Sequence, residues 1–537
     1  MLQPSSRPVP ASIPAGMLQN RPASNPLERQ AAPGRRLGRA ARRGPMLMTP
    51  GFALTVNSDS GVLGDAMTTQ ATVDLTGITS PNATVTLQNP RLTTRANAAG
   101  EFLFTNVPLA LGITPFTVTA RRNGRSRSFS TSIQRVASDA IDSVLEWHAI
   151  ALRLLHNTRP GSLAGSRALA IAQTAVMDTV NALTRGLPGG STDSNPFYRP
   201  PPVPVPTNAS AAAAAIGAAH TVLAAIFPNQ RSSLDQALVQ SLDTLQDNTA
   251  AEVSGFSFGR SIANALLSER STDGANRTAT FPLQRRPGRW RPTPSQFLPA
   301  VGVAWKEVTP FVLTQGSQFR PSGPPPLRSR AYAADLNQVK RLGQIDSRSR
   351  TPSQTESIRF WIGNASTTPG MWNEIAARAA ATSGQTLWQN ARLLGGLNLA
   401  LADAAIAAWD AKYTYPTWRP ITAIRLAASD RNPRTQPDRT WLAYLEAPAH
   451  PDYVAAHSTF ANAAATVLSQ QFGPAYAFTS TSFDLPGIQR RFPSFDRAAQ
   501  EAGLSRIFGG IHTPSAHRDG LTLGRNVATA VLQQFFR

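Results

Sequence analysis

The 537-residue chain contains no cysteine. Disulfides, thiolate metal sites and cysteine nucleophiles are therefore excluded, whereas zinc held by histidine and carboxylate is not. Lysine is nearly missing as well. Lys306, Lys340 and Lys412 are the only three, so arginine supplies almost all of the 52 basic side chains that outnumber 31 acids and give a formal net charge of +21. A general bias toward arginine explains that skew, and it makes each retained lysine informative. Long apolar runs are also lacking. The best, 209–227, is mostly alanine and carries His220; it falls short of the ~20 strongly apolar residues of a membrane span and reads as a buried helix. No apolar stretch follows the first charges, so the N-terminus carries no recognisable signal peptide.

Hydrophobic residues make up 41% of the chain, enough to bury a substantial core. The positive balance raises nucleic acid and anionic surfaces as partners, but the excess is spread along the chain and no nucleic-acid recognition motif occurs, so no nucleic-acid partner is expected. Three regions differ in composition. Residues 1–50 are rich in Pro, Arg, Ala and Ser, with eight arginines against Glu28, and are expected to be a disordered leader. Residues 51–135 are rich in Thr and Val in short alternating runs at 71–75, 83–87, 102–104, 116–120 and 128–132, separated by turn signals such as Ser80-Pro81-Asn82 and Arg122-Asn123-Gly124. That spacing predicts a small all-β sandwich. The phrase Asn97-Ala-Ala-Gly-Glu-Phe-Leu-Phe104 resembles bacterial immunoglobulin-like modules, which are commonly surface appendages and would favour secretion or surface display.

Residues 136–537 carry apolar positions at helical spacing, over 141–155, 166–183, 233–245, 261–267, 371–381 and 393–412. Two proline-rich connectors, 198–206 and 320–326, are longer than a plain bundle needs, and long loops over a helical scaffold often carry function. The expected architecture is multidomain: a mainly α helical-bundle catalytic domain preceded by the β-sandwich.

Three segments concentrate the chemistry. Lys412-Tyr-Thr-Tyr-Pro-Thr-Trp-Arg419-Pro420 places a point charge and a planar fork of donors where a long helix ends; alone, it reads equally as two surface cations. His450-Pro-Asp-Tyr-Val-Ala455-Ala456-His457-Ser458 precedes an apolar run at 459–468, which would put His457 at a helix N-terminus whose amides favour an anion. A histidine there suits acid–base work near neutral pH, or simply caps the helix. Ser505-Arg506-Ile-Phe-Gly-Gly-Ile-His512 adds a guanidinium and an imidazole across a glycine turn. Together, three cations and two histidines, with no compensating carboxylate close by, would repel one another unless an oxyanion sits among them.

The ordered triple K-x6-R-P, small-small-His and S-R-x5-H resembles the signature of the superfamily of type 2 phosphatidic acid phosphatases, bacterial acid phosphatases and vanadium haloperoxidases. Upstream phrases, Ser166-Arg-Ala-Leu-Ala170, Asp178-Thr-Val-Asn-Ala182, Phe360-Trp361 and Trp372-Asn-Glu-Ile-Ala376, are similar to the bacterial haloperoxidase branch, and the absence of spans points away from the membrane lipid phosphatases. The resemblance implies vanadate as cofactor. Lys412, Arg419 and Arg506 would neutralise its oxygens, the Ala455 and Ala456 backbone would approach it, His512 would bond vanadium, and His457 would be the acid–base partner. Lys412 would polarise hydrogen peroxide, and a halide attacking the peroxide would give a hypohalous acid that halogenates an organic acceptor. Trp409 and His450 would line the halide side. Relatives commonly form homodimers. The alternatives are a soluble phosphatase, in which His512 attacks phosphorus, and a non-catalytic surface protein with a degenerate site. Three departures from the pattern stand out. Ala455 replaces the usual serine. Ala516 replaces the acid that orients the last histidine, leaving Asp519 as the nearest carboxylate. Asn364 stands where an acid is usual after the Phe-Trp pair.

Overall fold

In the β-region, residues that alternate in polarity form strands because each strand buries one face. Val73 and Leu75, Val85 and Leu87, Phe102 and Phe104, and Phe116 and Val118 point inward while their neighbours face water. This computed structural model describes residues 47–535 except 49, 138–141, 193, 195, 246–248 and 364–366; the expected leader therefore lies, but for its last few residues, outside the described residues, as does Asn364. The strands are β1 (Gly51–Leu54), β2 (Met67–Thr68), β3 (Thr72–Ile78), β4 (Thr84–Leu87), β5 (Leu92–Arg95), β6 (Glu101–Pro108), β7 (Gly112–Arg122) and β8 (Arg125–Arg135). They form two sheets, ordered β1-β3-β6 and β2-β8-β7-β4-β5, around one shared apolar core. Asn123 and Gly124 both have positive φ, as the tight β7–β8 hairpin turn requires.

The module is not a detached appendage. Val56, Val62 and Leu63, in the loop between β1 and β2, belong to the helical core, and Arg153 and Arg378 donate to the carbonyls of Asp59 and Leu63.

The helices are α1 (Ser143–Thr158), α2 (Gly161–Leu183), α3 (Ala211–Ile226), α4 (Arg231–Asp243), α5 (Thr249–Arg270), α6 (Arg330–Leu342), α7 (Pro352–Phe360), α8 (Thr368–Thr382), α9 (Leu387–Thr414), α10 (Pro420–Arg425), α11 (Ala456–Phe472), α12 (Phe495–Phe508) and α13 (Pro514–Phe535), with a hairpin of β9 (Phe478–Thr481) and β10 (Gln489–Phe492) before α12. Capping chemistry fixes several starts: Asp142 accepts from the Val144 and Leu145 amides, and Thr386 with Gln389 forms a capping box on α9. α9 is the axis of the bundle, buried along almost its whole length against α2, α8, α11 and α13. Among the described residues it is the one unbroken helix long and apolar enough to cross a membrane, and nearly all of that apolar surface is covered by its own protein. The alanine-rich 209–227 segment is the buried helix α3.

Candidate active site

Three long helices and two loops converge at one end of α9. α9 presents Lys412 in its last turn, and the chain then turns through Tyr415 to Arg419 at the N-cap of α10. α11 starts at Ala456, so His457 is its second residue. α12 presents Arg506 in its last turn. Gly510, at φ +78°, packs on the Gly343 carbonyl where a side chain would not fit, and the turn brings His512 inward. Lys412, Arg419, Arg506 and His512 are buried, while His457 and His450 keep some accessible surface.

The cations and imidazoles form one cluster. Arg419 donates from Nε to the His450 carbonyl at 2.7 Å and from Nη1 to the Ile511 carbonyl at 2.7 Å. Its Nη1 lies 3.2 Å from His512 Nε2, and its Nη2 lies 3.0 Å from His450 Nδ1. The Lys412 ammonium donates to the carbonyls of Pro451, Asp452 and Val454 at 2.8, 3.3 and 2.5 Å, and stands 5.7 Å from the centre of the Trp409 ring. Trp409 lies against the His450 ring at 5.1 Å. Arg506 is held by Ser505 Oγ and the Ile358 carbonyl. The expected set Lys412, Arg419, Arg506, His457 and His512 is thus brought together, with Trp409 and His450 on one side.

Electrostatics follow from that packing. Burial, then the neighbouring Arg419, pushes the Lys412 ammonium well below its ordinary range, with Asp452 opposing. Burial brings Arg419 down to about 10 and Arg506 down to about 9. His512 is depressed by burial and then by Arg419, Lys412 and Arg506; His457 by burial and then by Arg506 and His512; His450 by burial and then by Lys412 and Arg419. Three neutral imidazoles therefore sit among cations whose charge is poorly solvated.

Two expectations need correction. The cluster does contain a carboxylate: Asp452 is buried within it, and its Oδ1 lies 2.7 Å from His512 Nδ1. Asp452 stands in the same box as His450 and His457, and its residue type was the available signal. Asp519 does not orient His512; its Oδ2 accepts from the Tyr453 hydroxyl at 2.6 Å. Of the two small-residue amides, that of Ala455 donates to the Ala516 carbonyl at 2.9 Å. Sequence reading also missed Thr368, whose Oγ1 is 3.0 Å from His457 Nε2, and the contact between Ser458 Oγ and His517 Nδ1 at 2.9 Å. Nothing local marks Thr368, which caps no helix and meets His457 only through the packing of α8 on α11.

A free oxyanion suits these groups better than a cation. Among the described residues no three His, Cys, Asp or Glu side chains converge as metal ligands. The set is net cationic, and α11 begins at Ala456 behind an Ala455 N-cap with no side chain to accept from the first helical amides, which favours an anion at that end. The chemistry of the set suits an oxyanion such as vanadate, which Lys412, Arg419 and Arg506 would hold beside His512; Lys412 and Arg419 would exchange their carbonyl and imidazole contacts for its oxygens.

Residues 392–537 match the family model described as the VCPO second helical-bundle domain. Vanadium chloroperoxidase of Curvularia inaequalis is 25% identical over 318 residues, 46% of this chain; the chain spans about half the length of that curated relative, 50%. Among solved structures, the first bacterial vanadium-dependent iodoperoxidase aligns with a TM-score of 0.62 and 25% identity, over 73% of this chain and 95% of that one. A holo-type bacterial vanadium-dependent chloroperoxidase aligns at 0.54 and 16% identity, over 73% and 93%. The helical region therefore has the fold seen in vanadium haloperoxidases, and the chain is related to them in sequence.

Proposed function

We propose that this relative of the vanadium haloperoxidases is itself a vanadate-dependent haloperoxidase, oxidising a halide with hydrogen peroxide to a hypohalous acid equivalent that halogenates an organic acceptor. The observation that carries the reading is the convergence of Lys412, Arg419 and Arg506 on His512 and His457 in a buried, net cationic cluster. Bound vanadate would supply a Lewis acid that activates peroxide without changing its own oxidation state. The three cations would hold its oxygens and balance its charge. Lys412 would lower the barrier by stabilising negative charge that develops on the departing oxygen. His457, neutral and partly accessible, can take a proton from incoming peroxide and return it to the product. Trp409, tilted against the His450 ring, offers a polarisable wall for halide. The β-module, with two sheets on one core, is read as immunoglobulin-like.

One observation favours a second reading. A histidine backed by a carboxylate, as His512 is by Asp452, is also the arrangement of a nucleophile that attacks phosphorus. Bromination of phenol red with bromide and peroxide, with and without vanadate, separates the two. Vanadate-dependent bromination that disappears in Lys412→Ala is expected. Hydrolysis of p-nitrophenyl phosphate without bromination would move the protein to the phosphatase reading, and silence in both assays would leave a degenerate site.

A further inference from the structure

The two central histidines have chemically different partners. A guanidinium has donors only. With Arg419 Nη1 3.2 Å from His512 Nε2, that nitrogen must carry its lone pair, and the ring proton belongs on Nδ1. The other side of the ring leads to the same assignment. Nδ1 faces Asp452 Oδ1 at 2.7 Å, and Oδ2 of the same carboxylate faces the Thr513 hydroxyl at 2.7 Å. Thr513 Oγ1 also accepts from the Ala516 amide at 3.4 Å, which directs its own proton to Asp452. Both Asp452 oxygens therefore accept. Its backbone is fixed too, the amide to the Thr417 carbonyl at 3.0 Å and the carbonyl to Lys412. His457 differs. Its ring is hydrogen-bonded to the Trp361 backbone, which favours the protonated form, and its Nε2 meets the Thr368 hydroxyl, which can donate to a lone pair there or accept from an N–H.

We propose that Asp452 is a positioning residue that locks His512 as the Nδ1–H tautomer and aims its Nε2 lone pair into the cation cluster, while Thr368 leaves His457 able to exchange its proton. This rests on the oxyanion-site reading given above. The lock supplies what Ala516 cannot, from a segment sixty residues earlier in the chain. It also makes Nε2 a better electron donor, because a carboxylate hydrogen-bonded to one ring nitrogen raises the basicity of the other. Division of labour follows: one imidazole is held ready to bond the oxyanion, and the other carries protons.

The test uses the whole chain as Asp452→Asn, which keeps the shape but loses the charge and can offer an N–H in place of an acceptor, and as Asp452→Ala. Vanadate affinity is measured by equilibrium dialysis, with inorganic phosphate as a second probe, and the tautomer by 15N NMR of histidine-labelled protein without added anion. Vanadate binding about 10- to 100-fold weaker in both variants is expected, with unchanged circular dichroism in Asp452→Asn and with a wild-type Nδ1–H signal that shifts in that variant. Affinity within twofold of wild type in folded Asp452→Asn, or a His512 proton found on Nε2, overturns the proposal. If Asp452→Ala does not fold, Asp452→Asn and the wild-type tautomer still decide it. If wild type binds neither anion, the oxyanion-site reading fails, and the NMR result alone decides the role of Asp452.

Discussion

At position 455 an alanine occupies the N-cap of α11, with extended backbone angles and no side chain to accept from the helix amides. A serine there could accept from an amide at the start of α11 and donate its own proton to a bound oxyanion. Ala455→Ser is therefore expected to stabilise the anion-free protein by about 1 kcal/mol through capping, and to tighten vanadate by a further ~5-fold through one added hydrogen bond. Thermal melting with and without vanadate reads both effects. A lowered melting temperature without anion would mean that the hydroxyl is overpacked, because Ala455 is fully buried. At this scale Lys412 and the histidines were legible because they are scarce residue types, and the arginines because they stand at fixed spacings from them. Asp452, Thr368 and the engaged Ala455 amide were not, since each depends on which chain segment folds against the box, and spacing carries no such information.

The long connectors are held to helices by buried carboxylates. Asp178 on α2 accepts from the Tyr198 and Arg199 amides at 2.8 Å each, at the start of the first proline-rich connector. Asp403 on α9 accepts from the amides of Phe311, Val312 and Leu313 at 2.7, 2.8 and 2.8 Å. Two turns further along the same helix, Asp410 takes both forks of Arg320 at 2.6 and 2.8 Å, where the second connector begins. Asp403 and Asp410 thus hold their loops along the C-terminal half of α9, the helix that carries Lys412. Asp403→Ala leaves three backbone N–H groups without their acceptor, two of them on buried residues, and should cost about 3–6 kcal/mol in urea unfolding; a loss below 1 kcal/mol would show that water replaces the carboxylate. Helical periodicity disclosed α1, α2, α4, α8 and α9, but the first half of α5 and the whole of α6, α7, α10, α12 and α13 went unread. In α13 the reason is visible: Gly520 and Gly524 look like helix breakers, yet each lets α13 lie directly on the backbone of α11. The carboxylate anchors escaped notice because an aspartate within a helical pattern ordinarily faces water.

Across the whole molecule, the β-module and the helical bundle meet through the loop between β1 and β2, which composition assigned to a separate domain. Alternation marked β3, β4, β6, β7 and β8 but not β1, β2 or β5, and it is blind to a loop whose Val56, Val62 and Leu63 are buried in a neighbouring core. The junction is also charged. Asp59 Oδ2 accepts from the Gly64 amide at 2.6 Å, and burial followed by the charge of Asp65 raises its carboxyl well above the ordinary range, against Arg153 and Arg378. Asp65, with its Oδ1 accepting from the Met67 amide at 2.8 Å, is raised by burial from 3.8 to about 7. A raised carboxyl binds more protons folded than unfolded, so its stabilising contribution is complete below 3.8 and is lost as pH rises through 7. Asp65→Asn keeps an oxygen for Met67 and cannot ionise. Its melting temperature should therefore gain on wild type progressively between pH 5 and pH 8, with slower hydrogen exchange over residues 57–66 in the variant at pH 8. A cavity of about 700 Å³ beside Asp65, Arg378 and Arg491 gives water a route to an ionised carboxylate there, so the difference should be largest in exchange at the loop and smaller in global melting. Parallel melting curves for the two proteins across that pH range would show that Asp65 is already ionised and solvated when the module is docked, and that its pairing with Arg378 outweighs burial.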